Sequence, residues 1–221
     1  MDTIRTEQLS KCFGCLFRLG PVDIRVRPGE ILGVIGPNWA GKTTLLKLLW
    51  GFMRPDLGRI LVFGLQPHVN QMRVRRRAGY VSQIAQTDSP LTAKQYLRFV
   101  SVFYNGWNEE RAGRLLEQIG LNPDVKLEQL SPGGRMKLSI VSAVAHEPQL
   151  LLLDEPTSGL DSLTRFEILR FLSRLAREQQ VSLVLSSNIS EDLDHITDSV
   201  LMLRNGRVVE YAQTTVLNNA D

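Results

Sequence analysis

The sequence predicts an α/β fold in which helices cover a mainly parallel sheet. Two short apolar segments, 31–35 and 150–153, have the composition of strands that are buried on both faces. Strand and helix patterns alternate toward both ends of the chain, whereas the segment from about 85 to 145 contains only helix patterns. This arrangement indicates a β/α framework that carries a helical insertion.

The individual elements follow from local patterns. Val22, Ile24 and Val26 alternate with charged residues, which predicts a half-buried strand. Ser131 followed by Pro132 is a strong helix start, because serine caps the first turn and proline fits its first position. The predicted strands are 22–26, 31–35, 59–63, 150–153, 181–185, 200–203 and 208–211, the last two joined by an Asn205–Gly206 hairpin turn. The predicted helices are 43–49, 92–104, 109–119, 131–145, 163–177 and 191–196.

Charge and hydropathy argue against a nucleic-acid-binding protein and against a membrane span. The 221 residues include 26 basic and 23 acidic side chains, and the resulting net charge of +3 produces only a weak electrostatic field. No apolar run approaches the roughly 18 residues that a span requires, and the N-terminus lacks the apolar segment of a signal peptide. We therefore expect a cytoplasmic protein that reaches a membrane only through another polypeptide.

Cys12 and Cys15 form a C-x-x-C pair. One interpretation is a redox pair and another is half of a zinc site, which would need two further ligands. The three histidines are scattered and provide no ligand-spaced pair. The favoured interpretation is two reduced thiols of a cytosolic protein.

Residues 36–43 match the phosphate-binding pattern G-x-x-x-x-G-K-[ST], and they lie between a buried strand and a helix, as that pattern requires. Backbone N–H groups and the helix N-terminus would bind polyphosphate there. Lys42 is expected to reach the β- and γ-phosphates of that ligand, and the Thr43 hydroxyl to coordinate Mg²⁺. The predicted nucleotide-binding residues of this loop are Gly36, Pro37, Asn38, Trp39, Ala40, Gly41, Lys42, Thr43 and Thr44.

Two carboxylates end the apolar strand 150–153. Asp154 would lie at the ligand-binding edge of an open parallel sheet, where it can hold the Mg²⁺ shell. Glu155 can then act as the general base that polarises the attacking water. The alternative, a strand that merely ends in acidic residues, is disfavoured by the phosphate loop upstream.

Taken together, these residues resemble the nucleotide-binding subunit of ATP-binding-cassette (ABC) transporters, and the similarity covers residues 11–211. Residues 36–43 resemble the Walker A loop, 150–155 the Walker B strand and 158–161 the D-loop. Leu130-Ser-Pro-Gly-Gly134 lies where the family signature lies. Phe13 resembles the aromatic residue that stacks on adenine, and Gln83 the Q-loop glutamine that touches Mg²⁺ and senses the membrane partner.

The resemblance implies a P-loop NTPase of ABC type with an N-terminal antiparallel β region. It implies one domain, in which a RecA-like core and β subdomain (1–84 and 146–221) carry a helical subdomain (about 85–145). Two subunits, identical or related, would close head to tail on two Mg-ATP. The signature residues Ser131, Gly133 and Gly134, and Asp161 of the D-loop, would contact nucleotide across that dimer.

The sequence departs from the family pattern at three places. Trp39 stands where a small residue is usual, and we expect its indole to point outward. Pro132 and Gly134 differ from the commonest signature, while Gly133 keeps the position expected to face the γ-phosphate. Asn188 replaces the histidine that contacts the γ-phosphate and positions water; asparagine cannot carry that charge, so hydrolysis is expected to be slower. His195 is expected to be a surface or packing residue.

Three functions remain open at this point. The first is the ATPase subunit of a membrane exporter that pairs with a separate permease. The second is a soluble ABC protein acting on ribosomes or DNA, although such proteins usually carry two cassettes or a long coiled coil. The third is an ATP-gated clamp with little turnover, which Asn188 motivates.

Two weaker features have a plain and a functional interpretation. The basic run 73–77 is either a solvated face or a contact for anionic lipid or nucleic acid. The aromatic residues of the first inserted helix would mostly belong to the subdomain core, with one or two left to line a partner groove; they are Tyr96, Phe99, Phe103 and Tyr104. The segment 86–92 is the expected contact region for the permease.

Overall fold

The computed structural model describes residues 1–83, 89–104, 106–189, 193 and 195–214. Within these residues the chain forms ten strands: β1 (Ile4–Phe13), β2 (Phe17–Val22), β3 (Arg25–Val26), β4 (Ile31–Ile35), β5 (Leu57–Val62), β6 (Ala78–Val81), β7 (Leu150–Asp154), β8 (Ser182–Ser187), β9 (Ser199–Arg204) and β10 (Arg207–Gln213). The α-helices in the same residues are α1 (Lys42–Leu49), α2 (Gln71–Arg75), α3 (Ala93–Ser101), α4 (Glu109–Gln118), α5 (Pro132–Val144) and α6 (Ser162–Gln179).

The larger sheet has the order β10-β9-β4-β8-β7-β6. All of its neighbouring strands are parallel except β10, which pairs antiparallel with β9 through the predicted Asn205–Gly206 turn. This confirms the α/β class and the mainly parallel sheet. The loop after β4 and the carboxylates after β7 therefore emerge at the same edge.

The antiparallel N-terminal region is built on β1, which pairs with β2, β3 and β5. The sequence predicted one continuous strand over 22–26, and this prediction is wrong. Val22 ends β2 opposite Leu9, whereas Val26 lies in β3 opposite Ile4. The alternating pattern nevertheless predicted burial correctly, because Val22, Ile24 and Val26 are all buried. Strands β1 and β2 were missed, since their apolar residues do not alternate regularly.

The predicted helices of the insertion are present within one to three residues. Thr92 caps α3 and forms a reciprocal capping box with Gln95, while Asn108 caps α4. Helix α5 begins at Pro132 with Ser131 as its cap, as predicted. The short helix α2 was missed, and three of the six residues of the helix predicted over 191–196 lie outside the described residues. The proposed subdomain boundary near residue 85 also lies outside them.

The buried strands separate two hydrophobic clusters, one on each face of the larger sheet. Leu151 and Leu153 belong to the cluster formed with α5 and α6. Leu150 and Leu152 belong to the cluster formed with α1 and the antiparallel region. Because consecutive strand residues face opposite sides, one strand serves both cores, which explains its uninterrupted apolar composition.

The two weaker features have mixed outcomes. Tyr96 packs against the core and Tyr104 stacks on His146 with ring centroids 4.2 Å apart, whereas Phe99 and Phe103 are 58% and 71% exposed. The expectation that most of the four are core was therefore right for two. In the basic run most arginines are exposed, but Arg75 lies over the rings of Trp50 and Phe52.

Leu152→Ala should lower the free energy of unfolding by about 2–5 kcal/mol, because it removes a fully buried side chain from a tightly packed strand. Leu163→Ala is the matched control, since Leu163 is 68% exposed on α6 and its loss should change stability by less than about 0.5 kcal/mol. Urea unfolding of the purified chain measures both. Equal effects would contradict the packing described for β7.

Candidate functional site

The loop between β4 and α1 is shaped by two glycines. A Cβ atom on Gly36 would lie 2.2 Å from the backbone oxygen of Leu203. Gly41 has φ 107°, a conformation that side chains disfavour, and it directly precedes α1. The tip of the β9–β10 hairpin supports the loop, because the N–H of Gly206 donates to the carbonyl of Ala40 at 3.0 Å. Sequence reasoning did not identify this support.

A cavity of about 800 Å³ opens beside this loop. It brings together residues predicted separately from four parts of the sequence. Its lining residues are Phe13, Phe17, Asn38, Trp39, Ala40, Gly41, Lys42, Thr43, Thr44, Gln83 and Glu155. Trp39 is 93% exposed, so the prediction that its indole points outward is confirmed.

Lys42 is the buried cation of the cavity and is only 4% exposed. Its Nζ donates to the carbonyls of Gly36 at 2.7 Å and Pro37 at 3.1 Å. The same atom forms an ion pair with Oε1 of Glu155 at 3.1 Å. Oε2 of Glu155 accepts a hydrogen bond from Nε2 of Gln83 at 3.2 Å. The structure therefore joins the predicted phosphate lysine, general base and Q-loop glutamine directly.

Asp154 and Thr43 meet on the same side of the loop. The Thr43 hydroxyl donates to Oδ1 of Asp154 at 3.0 Å. Ser186, at the end of β8, also donates to Oδ1 at 2.8 Å and accepts a hydrogen bond from the N–H of Glu155 at 2.9 Å. A carboxylate and a hydroxyl in contact are a donor set that suits Mg²⁺. Ser186 was missed, although its place directly after an apolar strand segment was a usable signal.

Phe13 lies at the mouth of the cavity, where it pairs with Phe17 across the β1–β2 hairpin. The two ring centroids are 6.1 Å apart and the rings are tilted by 44°. Phe13 remains 39% exposed, so part of its side chain is accessible to a ligand. Sequence reasoning identified Phe13 but not Phe17.

The signature segment lies elsewhere, and neither it nor Asp161 lines the cavity within the part of the chain that the structure describes. Ser131 caps α5 by accepting from the N–H of Gly134 at 3.1 Å. Asp161 caps α6, and hydrogen bonds from the N–H and the hydroxyl of Thr164 hold its pKa below the ordinary value. A Cβ atom on Gly133 would lie 2.5 Å from Cγ2 of Thr164. Thr164 therefore packs the signature against the D-loop.

Comparison with known proteins agrees with this geometry. The family model described as ABC transporter matches residues 19–158. The chain belongs to the ABC transporter family.

Among its relatives, the bacitracin transport ATP-binding protein BcrA of Bacillus licheniformis is 32% identical over 209 residues, which are 94% of this chain and 68% of BcrA. The Nod factor export ATP-binding protein I of Rhizobium etli is 31% identical over 216 residues, 95% of this chain and 67% of that protein. A dimeric ATP-binding cassette bound to ADP and phosphate superposes with a TM-score of 0.84 and 23% identity, covering 96% of this chain and 98% of that one. As a family member, this chain is an ATP-binding protein of an ABC transporter.

In this ABC protein, Asn188 follows β8 and is exposed. The N–H of Gly36 donates to the carbonyl of Ser187 at 3.3 Å, which places Asn188 beside the start of the phosphate loop. His195 is exposed, in agreement with its prediction as a surface residue.

Cys12 and Cys15 are free and exposed. Across the described residues, no group of three or more His, Cys, Asp and Glu residues could hold a metal ion, so the zinc interpretation lacks its remaining ligands there. The described helices also include none with the length and apolar character needed to cross a membrane.

Lys42→Met should lower the free energy of unfolding of the nucleotide-free chain by about 3 kcal/mol, because it leaves Glu155 as a buried charge without its cation. Adding Glu155→Gln should recover most of that loss. Lys137→Met is the control, since it breaks a more exposed pair with Glu167 and should cost less than about 1 kcal/mol. Urea unfolding checks all three, and a double variant no more stable than Lys42→Met would contradict the pairing.

Proposed function

We propose that the chain binds Mg-ATP in the cavity beside residues 36–43 and hydrolyses it, with Glu155 as the general base. The observation that carries this proposal is the contact of Glu155 with both Lys42 and Gln83, next to the contact of Thr43 with Asp154. The arrangement places the Lys42 cation, the Glu155 carboxylate and a pair of oxygen ligands suited to Mg²⁺ around one phosphate-binding loop.

The residues divide the binding of ATP among themselves. Backbone N–H groups of residues 38–44 and the N-terminus of α1 would hold the phosphates. The ring of Phe13 would stack on adenine, since Phe13 lines the cavity and remains partly exposed. Asp154 and Thr43 would hold Mg²⁺ together with Gln83, and the bound ion would neutralise charge on the phosphates.

The ion pair with Lys42 keeps Glu155 from acting before nucleotide binds. Phosphate oxygens compete for Nζ of Lys42, and an ammonium group that turns toward them leaves Oε1 of Glu155. The released carboxylate can then accept a proton from water, while Gln83 still holds Oε2. Binding of the substrate thereby prepares the base.

The signature residues and Asp161 would act on a second nucleotide. Because they lie outside this chain's own cavity, their contact with ATP requires a partner subunit. A head-to-tail dimer, identical or mixed, would place Ser131, Gly133 and Gly134 over the ATP of the other subunit. The related cassette bound to ADP and phosphate is dimeric, which supports this arrangement. In this proposal residues of about 85–145 are the helical subdomain of a single ABC domain.

We further propose that the chain powers an exporter and works at the inner face of the cell membrane through a permease. The support comes from relatives named for bacitracin transport and Nod factor export. The exposed Phe99, near the end of α3, and Phe103, just after it, offer an apolar contact for the permease. Part of the contact region predicted from the sequence, residues 86–88, lies outside the described residues.

A clamp that binds ATP but turns over slowly is the second candidate. The observation that favours it is Asn188, an exposed amide beside the start of the phosphate loop. It can donate a hydrogen bond to a phosphate but cannot take up a proton near neutral pH. In that case ATP binding would close the dimer, and slow hydrolysis would set how long it stays closed.

Glu155→Gln should lower phosphate release by about 10²–10⁴-fold, because it removes the general base, and it should not weaken ATP binding, because Lys42 then has no carboxylate partner to leave. Asn188→His should raise the rate if the missing histidine limits turnover. Phosphate release by the assembled transporter measures both variants. Equal and negligible rates in wild type and Glu155→Gln would reject hydrolysis and leave the clamp.

Phe13→Ala should weaken ATP binding about tenfold, in line with roughly 1–3 kcal/mol for an aromatic–base stack. Its affinity for inorganic tripolyphosphate should stay unchanged, since that ligand has no base to stack. Phe103→Ala is the matched control, because Phe103 is also an exposed phenylalanine but is not among the residues that line the cavity. Calorimetric titration of each variant with both ligands tests the assignment. A parallel loss for the two ligands would point to a general disturbance of the loop.

A further inference from the structure

Positive charge is concentrated in the segment 52–77. This segment contains six of the 26 basic side chains and one of the 23 acidic ones, so its formal charge is +5. The rest of the chain, with 20 basic and 22 acidic side chains, has a formal charge of −2. The acidic residue of the segment, Asp56, forms an ion pair with Lys11 at 3.0 Å. The weak net charge of the whole protein therefore conceals one strongly basic segment.

Three of the six arginines in this segment have contacts within the fold. Arg59 lies opposite an acidic residue of β1, Arg75 lies over two aromatic rings, and Arg77 donates to a glutamine side chain. The other three are exposed and form no ion pair within the described part of the chain; they are Arg54, Arg73 and Arg76. Their guanidinium groups are accessible to an anionic ligand.

Helix α2 directs two of these arginines outward beside an apolar side chain. Val74 is completely buried and marks the inner side of the helix. Since successive residues of a helix are about 100° apart, Met72, Arg73 and Arg76 lie on the other side. Met72 is 67% exposed, and so is Val69 just before the helix. The outer side of α2 thus combines cations with apolar side chains.

Phe52 and Arg54 extend this surface from the segment that follows α1. Nε2 of Gln71 in α2 donates to the carbonyl of Gly51 at 3.0 Å, and the guanidinium of Arg75 lies 5.0 Å from the centre of the Phe52 ring. These contacts hold the two segments together, while Phe52 remains 57% exposed. The resulting arginine–apolar surface consists of Phe52, Arg54, Val69, Met72, Arg73 and Arg76.

We propose that the arginine–apolar surface binds directly to a membrane that contains anionic phospholipids. Guanidinium groups suit lipid phosphates, and a negatively charged bilayer surface attracts a cluster of basic residues. The apolar side chains among them enter the boundary between headgroups and acyl chains. This inference rests on the proposed position of the chain at the inner face of the membrane, and it adds a lipid contact that does not require the permease.

Two observations favour a bilayer over a nucleic acid as the anionic partner. Three exposed apolar side chains lie among the three arginines, and a phosphodiester backbone offers no apolar phase that would bury them. The negative charge of the rest of the chain would also oppose an extended polyanion that reaches beyond this surface. None of the six residues lines the nucleotide cavity, so lipid and nucleotide would bind independently.

The triple variant Arg54→Gln/Arg73→Gln/Arg76→Gln tests the contribution of the cations. The purified chain is sedimented with vesicles of phosphatidylcholine mixed with phosphatidylglycerol, and with vesicles of phosphatidylcholine alone. Wild type should bind the mixed vesicles much more tightly, and added salt should weaken this binding. The triple variant should bind them about 100-fold more weakly, since each basic residue at an anionic surface contributes roughly fivefold.

The matched control is Arg114→Gln/Arg170→Gln/Arg174→Gln, which makes the same change in net charge at exposed positions of α4 and α6. Its binding to the mixed vesicles should stay within about threefold of wild type, because charges beyond a Debye length from the bilayer are screened. Equal losses in the two triple variants would show that only net charge matters, and would overturn the inference.

Val69→Gln/Met72→Gln separates a bilayer from a nucleic acid, because it removes apolar side chains and keeps every charge. Binding to the mixed vesicles should fall about tenfold, whereas binding to duplex DNA, measured by fluorescence anisotropy, should not change. A wild-type chain that binds DNA as tightly as the mixed vesicles, together with a double variant unaltered toward both, would overturn the membrane assignment.

Nucleotide binding provides the independent readout. All of these variants change exposed side chains outside the cavity, so each should keep the wild-type melting temperature and affinity for Mg-AMP-PNP. A wild-type chain that binds Mg-AMP-PNP but has no preference for the mixed vesicles would overturn this inference alone. A wild-type chain that binds the mixed vesicles but no nucleotide would overturn the proposed ATP site and support the lipid contact.

Discussion

The site depends on three neighbouring parallel strands that end at one edge of a buried sheet. Strand β4 delivers the phosphate loop, β7 delivers Asp154 and Glu155, and β8 delivers Ser186. Parallel pairing keeps these ends at the same level, and cores on both faces prevent the strands from sliding. Hydrogen bonds as short as 2.8 Å between side chains distant in sequence then follow from the register alone.

On these strands, the ion pair between Lys42 and Glu155 determines the electrostatics of the nucleotide-free site. Loss of either partner would leave a buried charge uncompensated, at a large cost in free energy, because both groups are almost completely buried. A polyanionic ligand that draws Lys42 away must also leave Glu155 with Gln83 and solvent as its remaining contacts. In the mechanism we propose, one electrostatic rearrangement therefore couples nucleotide binding to the readiness of the base.

The signature and the D-loop form a second unit, distinct from the cavity. Thr164 joins them, since it bonds Asp161 through both its N–H and its hydroxyl and fills the space beside Gly133. A glycine at 133 lets α5 approach α6 this closely. A rigid connection of this kind would allow the two segments to engage a partner's nucleotide together.

The sequence by itself determined the buried strands of the parallel sheet, the phosphate loop, the hairpin at Asn205–Gly206 and the cap of α5, because each depends on neighbours within a few residues. It also indicated Lys42, Asp154, Glu155 and Phe13, whose residue types follow from their chemistry. Only the tertiary structure decided which side chains support them. Ser186, Phe17 and Gly206 reach the site through strand register and hairpin packing. Ser186 does follow an apolar strand segment, but no local pattern shows which distant side chain it meets. For the same reason the strand predicted over 22–26 proved to be two, since its partner β1 lies elsewhere in the chain.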